Sequence, residues 1–175
     1  MRLIVAVTGA SGVQLGYRVL EYLPEGVEPY LILSESARDV VTHENVRIYD
    51  ENDIAAPVAS GSFPSDAMIV APCSMNTLAK IACGIADNLL TRTAAVMIKE
   101  RRPLLLAPRE MPFSAIALEN MLKLSRLGVV VAPPIPGYYG DHETVEEMER
   151  FIVGKWFDLL GIENDLYKRW KIEEA

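Results

Sequence analysis

Histidine and cysteine are scarce: His43, His142, Cys73 and Cys83 are all that 175 residues contain. Two histidines so far apart in sequence argue against a histidine-based metal site or a Ser-His-Asp triad. The cysteines stand ten apart, without zinc-type spacing, and read as reduced, buried small residues. Basic excess is also missing. The formal net charge of −7 disfavours non-specific binding to nucleic acid or to an anionic membrane surface. No apolar run approaches the roughly 20 residues that cross a bilayer. The Met1-Arg2 start lacks the order of a signal peptide, which points to a cytoplasmic protein. An aspartate-rich pair of motifs, of the sort that holds a diphosphate through Mg²⁺, is absent too.

What the chain has is hydrophobic: half of its residues are apolar, which excludes intrinsic disorder. The length suits one domain over 1–175. Near-continuous apolar runs predict strands over 3–8, 28–33, 67–71, 103–107 and 128–132. Helices are predicted near 13–23, 35–44, 75–83, 87–100, 113–127 and 144–160. Thr144 and Glu147 form a capping box at the start of the last. Segments 50–65 and 133–143 read as loops. Apolar strands alternating with helices imply an α/β fold: a parallel sheet with helices on both faces.

The polar residues of interest fall where those strands end. LIVAVT runs into Gly9-Ala10-Ser11-Gly12, YLILS into Glu35-Ser36, MIVAPC into Ser74-Met75-Asn76-Thr77, LLLAP into Arg109-Glu110, and VVVAPP leads to Pro136-Gly137-Tyr138-Tyr139. In an open α/β sheet, ligands bind outside the carboxyl ends of the strands, so these clusters describe one pocket. Gly9–Gly12 opens a helix and offers backbone amides and a helix dipole to a phosphate. Ser11 stands where a dinucleotide fingerprint has its second glycine, and Ser34 ends the second strand in place of a ribose-binding acid. A mononucleotide such as FMN fits better than NAD or FAD. Ser74 caps the helix after Pro72, with Asn76 and Thr77 in its first turn.

Other candidates are cationic. Arg92 and Lys99 share one helix face, seven residues apart. Arg109 beside Glu110 suits anion binding next to a proton-transfer carboxylate. Lys155 falls on the predicted apolar stripe of Met148, Phe151, Ile152 and Leu159, either snorkelling from its edge or pointing into a pocket. Trp156 reads as packing, and Trp170 beside Arg169 is open between packing and function.

Taken together, TGASG (8–12), SGSF (60–63), APCSMNT (71–77), DNLLTR (87–92), KERRPLLLAPRE (99–110), LENM (118–121), PGYY (136–139) and RW (169–170) resemble the UbiX-type flavin prenyltransferases. These belong to the homo-oligomeric flavin-containing decarboxylase-like fold family. The resemblance implies a three-layer, flavoprotein-like Rossmann fold and a dodecamer with sites shared between subunits. It implies metal-independent transfer of the dimethylallyl group from dimethylallyl monophosphate to N5 and C6 of reduced FMN. The product, prenylated FMN, would be handed to a UbiD-type decarboxylase.

By motif, Gly9, Ala10, Ser11, Ser34, Ser74, Met75, Asn76, Thr77 and Arg109 would contact FMN. Lys99, Glu110, Tyr139 and Lys155 would hold the prenyl phosphate, with Trp170 closing the site. Ser11, Glu44, Arg92, Lys99 and Glu110 would line the reaction centre. Three departures stand out: Lys155 replaces an Arg of many relatives, Gly-Asp-His follows Tyr139, and the loop after Glu44 is short. The rival readings are an FMN-dependent cysteine-peptide or phosphopantothenoylcysteine decarboxylase, or a non-catalytic flavin-binding module. The decarboxylases use a catalytic His after an early strand, where this chain has Ser34-Glu35-Ser36.

Overall fold

The computed structural model describes residues 1–34, 46–138 and 143–170. In chain order the elements are β1 (Arg2–Val7), α1 (Val13–Glu21), β2 (Glu28–Leu33), β3 (Arg47–Asp50), β4 (Ala67–Cys73), α2 (Met75–Cys83), α3 (Leu89–Lys99), β5 (Leu104–Pro108), α4 (Ala115–Arg126), β6 (Val130–Val131) and α5 (Val145–Leu160). The strands form one parallel sheet in the order β3-β2-β1-β4-β5-β6.

Continuous apolar strands are what this arrangement requires of β1, β2, β4 and β5, which are covered on both faces. Successive residues of β1 alternate sides. Leu3, Val5 and Val7 pack with Val19 of α1 and Phe151, Trp156 and Phe157 of α5. Ile4 and Ala6 pack with Leu78 of α2, Leu89 and Met97 of α3, and Leu124 of α4. The Trp156 indole, expected to be packing, is buried and donates its Nε1–H to the Ala132 carbonyl at 3.0 Å.

Strand order reverses between β1 and β4, and the helices that follow them lie on opposite faces of the sheet. A crevice therefore opens above those two strands, between the GASG and SMNT turns. Gly16 sets how closely α1 approaches it. A Cβ there would lie 2.4 Å from the Ala71 carbonyl oxygen and 2.7 Å from Val7 Cγ2.

β3 departs from expectation, since residues 47–50 carry no apolar run. It is a short edge strand, paired among the described residues with β2 alone and largely exposed, so no two-sided burial marks it in the sequence. β4 continues to Cys73, two residues past its predicted end, across a register irregularity with β5. β6 contracts to two residues. Segment 50–65 is a loop apart from one 3₁₀ turn at Pro57–Ala59. The capping box forms as expected: Thr144 Oγ1 accepts the Glu147 N–H and Glu147 accepts the Thr144 N–H. The helix predicted over 35–44 lies outside the described residues.

Cys73 is buried, and burial pushes its thiol up to about 12. Cys83 corrects the expectation that both cysteines are buried. It ends α2 on the exposed side.

Candidate active site

Thr8, at the end of β1, ties the two central turns together. Its hydroxyl donates to the Pro72 carbonyl and accepts the Ser74 N–H, both at 2.8 Å. The residue is buried, and its hydroxyl has no apolar alternative that would keep both bonds. Ser74 in turn caps α2, accepting the Thr77 N–H at 3.2 Å and donating to the Thr77 hydroxyl at 2.9 Å. Met75 and Asn76 sit in the first turn behind that cap, with Asn76 exposed.

On the other side of the crevice, Gly12 caps α1 in the left-handed conformation at φ 95°. It brings no side chain, and α1 has no side-chain cap. The other described α-helices are capped by Ser74, Asn88, Ser114 and Thr144. The start of α1, reached through the exposed Gly9 and Ser11, thus presents a positive dipole end with no side-chain cap among the described residues, although the Ala10 and Leu15 N–H groups are taken by the Thr8 and Gly12 carbonyls at 2.8 and 2.9 Å.

Arg109 closes this side. Its Nε–H donates to the Ser11 carbonyl at 3.2 Å, and its own N–H to the Cys73 carbonyl at 3.4 Å. The buried Ser34 is held at the end of β2, with its N–H on the Val7 carbonyl at 3.1 Å. The structure therefore brings Gly9–Gly12, Ser34, Ser74–Thr77 and Arg109 to one edge. Glu110 is exposed beside them, its carboxylate accepting the Met111 N–H at 3.0 Å.

Arg92 and Lys99 lie elsewhere. They line a cleft of about 500 Å³ together with Ile54, Ser60 and Gly61. Arg102 holds the SGSF loop there, donating to the Gly61 carbonyl at 2.8 Å and the Phe63 carbonyl at 2.6 Å. Lys99 pairs with the neighbouring Glu100, whose carboxyl is lowered by Lys99 first and Arg102 next. Lys99 ends α3 shortly before β5 begins, so it sits toward the amino-terminal edge of the sheet, away from the crevice.

Lys155 is also removed from the crevice, and of the two alternatives for its place on the stripe the described structure shows the edge position. α5 starts at the carboxyl edge and runs back, placing Lys155 about 15 Å along its axis. The buried face of the helix is Phe151, Ile152, Val153, Trp156, Phe157 and Leu160. Lys155 and Leu159 share the outer edge instead. The Lys155 side chain is 46% exposed, with Nζ 3.9 Å from the Asp158 carboxylate and 5.9 Å from the Tyr167 ring centre. Trp170 is exposed at the end of the segment that follows α5. Glu44 and Tyr139 lie outside the described residues, as do both histidines. Among the described residues no group of three or more His, Cys, Asp or Glu is placed to hold a metal ion, and no helix is long and apolar enough to cross a membrane.

Asp158 is the strongly perturbed carboxylate of this region. Its pairing with Arg169 first, then hydrogen bonds from Tyr167 and Asn164, hold it at about 2 against the cost of burial. A carboxyl lowered on folding stabilises the protein above its unfolded value near 3.8 and loses that contribution as pH falls toward 2. The contribution is at most about 2 kcal/mol. The stability gap between wild type and Asp158→Asn should therefore be full at pH 6 and shrink by pH 2.5, read by urea denaturation. A gap independent of pH would contradict this.

Thr8, Gly16 and Arg102 are the contributors that sequence reasoning missed. Thr8 stood inside a quoted motif but carried no role. Gly16, four residues after Gly12, was the available signal for close helix–sheet packing.

Comparison with known proteins places this geometry. The Flavoprotein family profile matches residues 1–157. The flavin prenyltransferase UbiX of Helicobacter pylori (strain 26695) is 47% identical, over 97% of this chain and 98% of that protein. UbiX of Thermoplasma acidophilum is 46% identical, over 97% and 100%. Among solved structures, AnUbiX in complex with FMN and dimethylallyl pyrophosphate superposes with a TM-score of 0.92 at 42% identity, covering 99% of this chain and 98% of that one. A dodecameric, FMN-dependent UbiX-like decarboxylase from Escherichia coli O157:H7 gives 0.92 at 42%, covering 98% and 100%. A PPC decarboxylase mutant in complex with pantothenoylaminoethenethiol, at 24% identity and a TM-score of 0.65 over 77% of this chain and 82% of that one, shares the fold alone.

The fold and the crevice are those of a flavoprotein. Within that class, the chain belongs to the UbiX flavin prenyltransferase family.

Proposed function

We propose that this protein joins the dimethylallyl group of dimethylallyl monophosphate to N5 and C6 of reduced FMN, giving prenylated FMN. The observation that carries the reading is the uncapped start of α1 facing the Thr8–Ser74 lock across the β1/β4 crevice. That donor set fits a flavin mononucleotide: amides at Gly9–Gly12 for its phosphate, and Ser34, Ser74–Thr77 and Arg109 around its ring system. Bound reduced FMN supplies the nucleophilic atoms of the reaction.

The chain's own residues do the rest. Lys99, Tyr139 and Lys155 bind the allylic phosphate and stabilise the charge that grows as it leaves. Ser11 and Arg92 line the reacting region, Glu44 and Glu110 handle the proton released on ring closure, and Trp170 covers the site. Arg92, Lys99 and Lys155 sit away from the crevice of their own chain, so a neighbouring copy completes it. Exposed Met111, Ile116, Leu118 and Leu122 provide an apolar surface for such self-association. A dodecamer, a cytoplasmic setting and delivery of the product to a UbiD-type decarboxylase belong to the same proposal. They are supported by the family membership and by the relative described as dodecameric.

Purified protein, reduced FMN and dimethylallyl monophosphate in excess EDTA should release inorganic phosphate. Dimethylallyl pyrophosphate, run in parallel, should release less. Release of CO₂ from a cysteine-terminated peptide, without phosphate release, would favour the decarboxylase reading instead.

A further inference from the structure

The ten residues after α5 fold back along that helix and are fastened to it. Asn164 Nδ2 donates to the Gly154 carbonyl at 3.3 Å and to Asp158 Oδ1 at 3.0 Å. The Tyr167 ring packs edge-on against Phe151 at 5.1 Å and lies over Gly154, where a Cβ would come within 2.6 Å of it. Tyr167 donates its hydroxyl to Asp158. Arg169 then grips both oxygens of the same carboxylate, Nη1 at 2.9 Å and Nη2 at 2.8 Å.

Asp158 is therefore one anion between two cations, unequally shared. Arg169 takes it as a bidentate fork, the strong geometry, whereas Lys155 stands off at 3.9 Å. The cluster keeps a surplus positive charge, and that charge is on Lys155.

We propose that the Asp158–Arg169 pair is a positioning pair for substrate binding: it fixes the segment that carries Trp170 against α5 and leaves the Lys155 ammonium available to a phosphate. Neither residue touches the substrate. The proposal rests on the assignment of Lys155 and Trp170 to the prenyl phosphate site. Its distinctive consequence concerns Arg169. Without the fork, Asp158 turns to Lys155 and competes with the phosphate for it, so removing the carboxylate as well should restore binding. A plain structural latch behaves otherwise, because losing both partners is then no better than losing one.

The test uses the full-length chain in its native assembly. Arg169→Met should speed amide hydrogen exchange over residues 164–170, leave FMN affinity unchanged, and raise KM for dimethylallyl monophosphate about two- to fivefold with kcat nearly unchanged. That is the range a partly exposed ion pair supports. Asp158→Asn combined with Arg169→Met should bring KM back toward wild type while the segment still exchanges fast. Arg169→Lys should recover much of the protection. Unchanged exchange in Arg169→Met overturns the proposal whatever the kinetics, as does a double variant with KM equal to or above that of Arg169→Met. Lys155→Met with wild-type KM would instead locate the failure in the assignment of Lys155. It would remove the phosphate part of the proposal, leaving the exchange data to judge the fastening.

Discussion

Replacing Glu110 with Gln should leave folding and FMN binding intact and lower product formation by about a hundredfold or more. The carboxylate follows β5 at the crevice edge, exposed, and accepts the N–H of the very next residue at 3.0 Å. A glutamine side-chain oxygen accepts that bond equally well, so the substitution costs the fold little. What it removes is a group able to take a proton or to orient the phosphate, and general acid–base assistance contributes about 10²–10⁴-fold to rate. Thermal unfolding and FMN titration alongside rate measurements separate the two effects. Wild-type turnover in Glu110→Gln would take this residue out of the site.

Gly16→Val should be the most damaging single change on the sheet side of α1. The first carbon added already meets a backbone carbonyl at 2.4 Å and Val7 Cγ2 at 2.7 Å, and the carbonyl belongs to β4, which cannot yield. α1 must lift, at a cost of about 1–3 kcal/mol or more. Its amino terminus then moves out of line with the Thr8–Ser74 lock, so FMN affinity should fall about tenfold. Chemical denaturation and flavin fluorescence titration read the two losses separately. Retention of both stability and affinity would show that α1 has more room than its packing indicates.

The strands were legible because two-sided burial writes itself as continuous apolar sequence, and LIVAV, MIVA and LLLA occur on central strands of this sheet. Turn and cap chemistry was equally readable: Gly12 takes a positive φ, Ser74 caps α2, and Thr144 with Glu147 closes a box. β3 was not legible, since an exposed edge strand of Arg, Ile, Tyr and Asp has no burial pattern to display. The place of Lys155 stayed open because helical spacing tells which residues share a face but not where the buried arc ends. Leu159, four residues on, is an exposed leucine and lent the stripe false width. Arg92 and Lys99 were paired with each other, yet their meeting with Ser60 and Gly61 depends on a loop some thirty residues earlier folding onto α3. Bonds of that kind, such as Arg102 to Gly61, leave no local trace in sequence.

The central claim is that reduced FMN is the group being modified, held in the β1/β4 crevice. Mass spectrometry of the flavin after incubation with dimethylallyl monophosphate tests it most directly. The account predicts FMN heavier by one C₅H₈ unit, with NMR placing the new bonds at N5 and C6, and no such product in Glu110→Gln. Flavin recovered at its original mass while a cysteine-containing substrate loses CO₂ would contradict it.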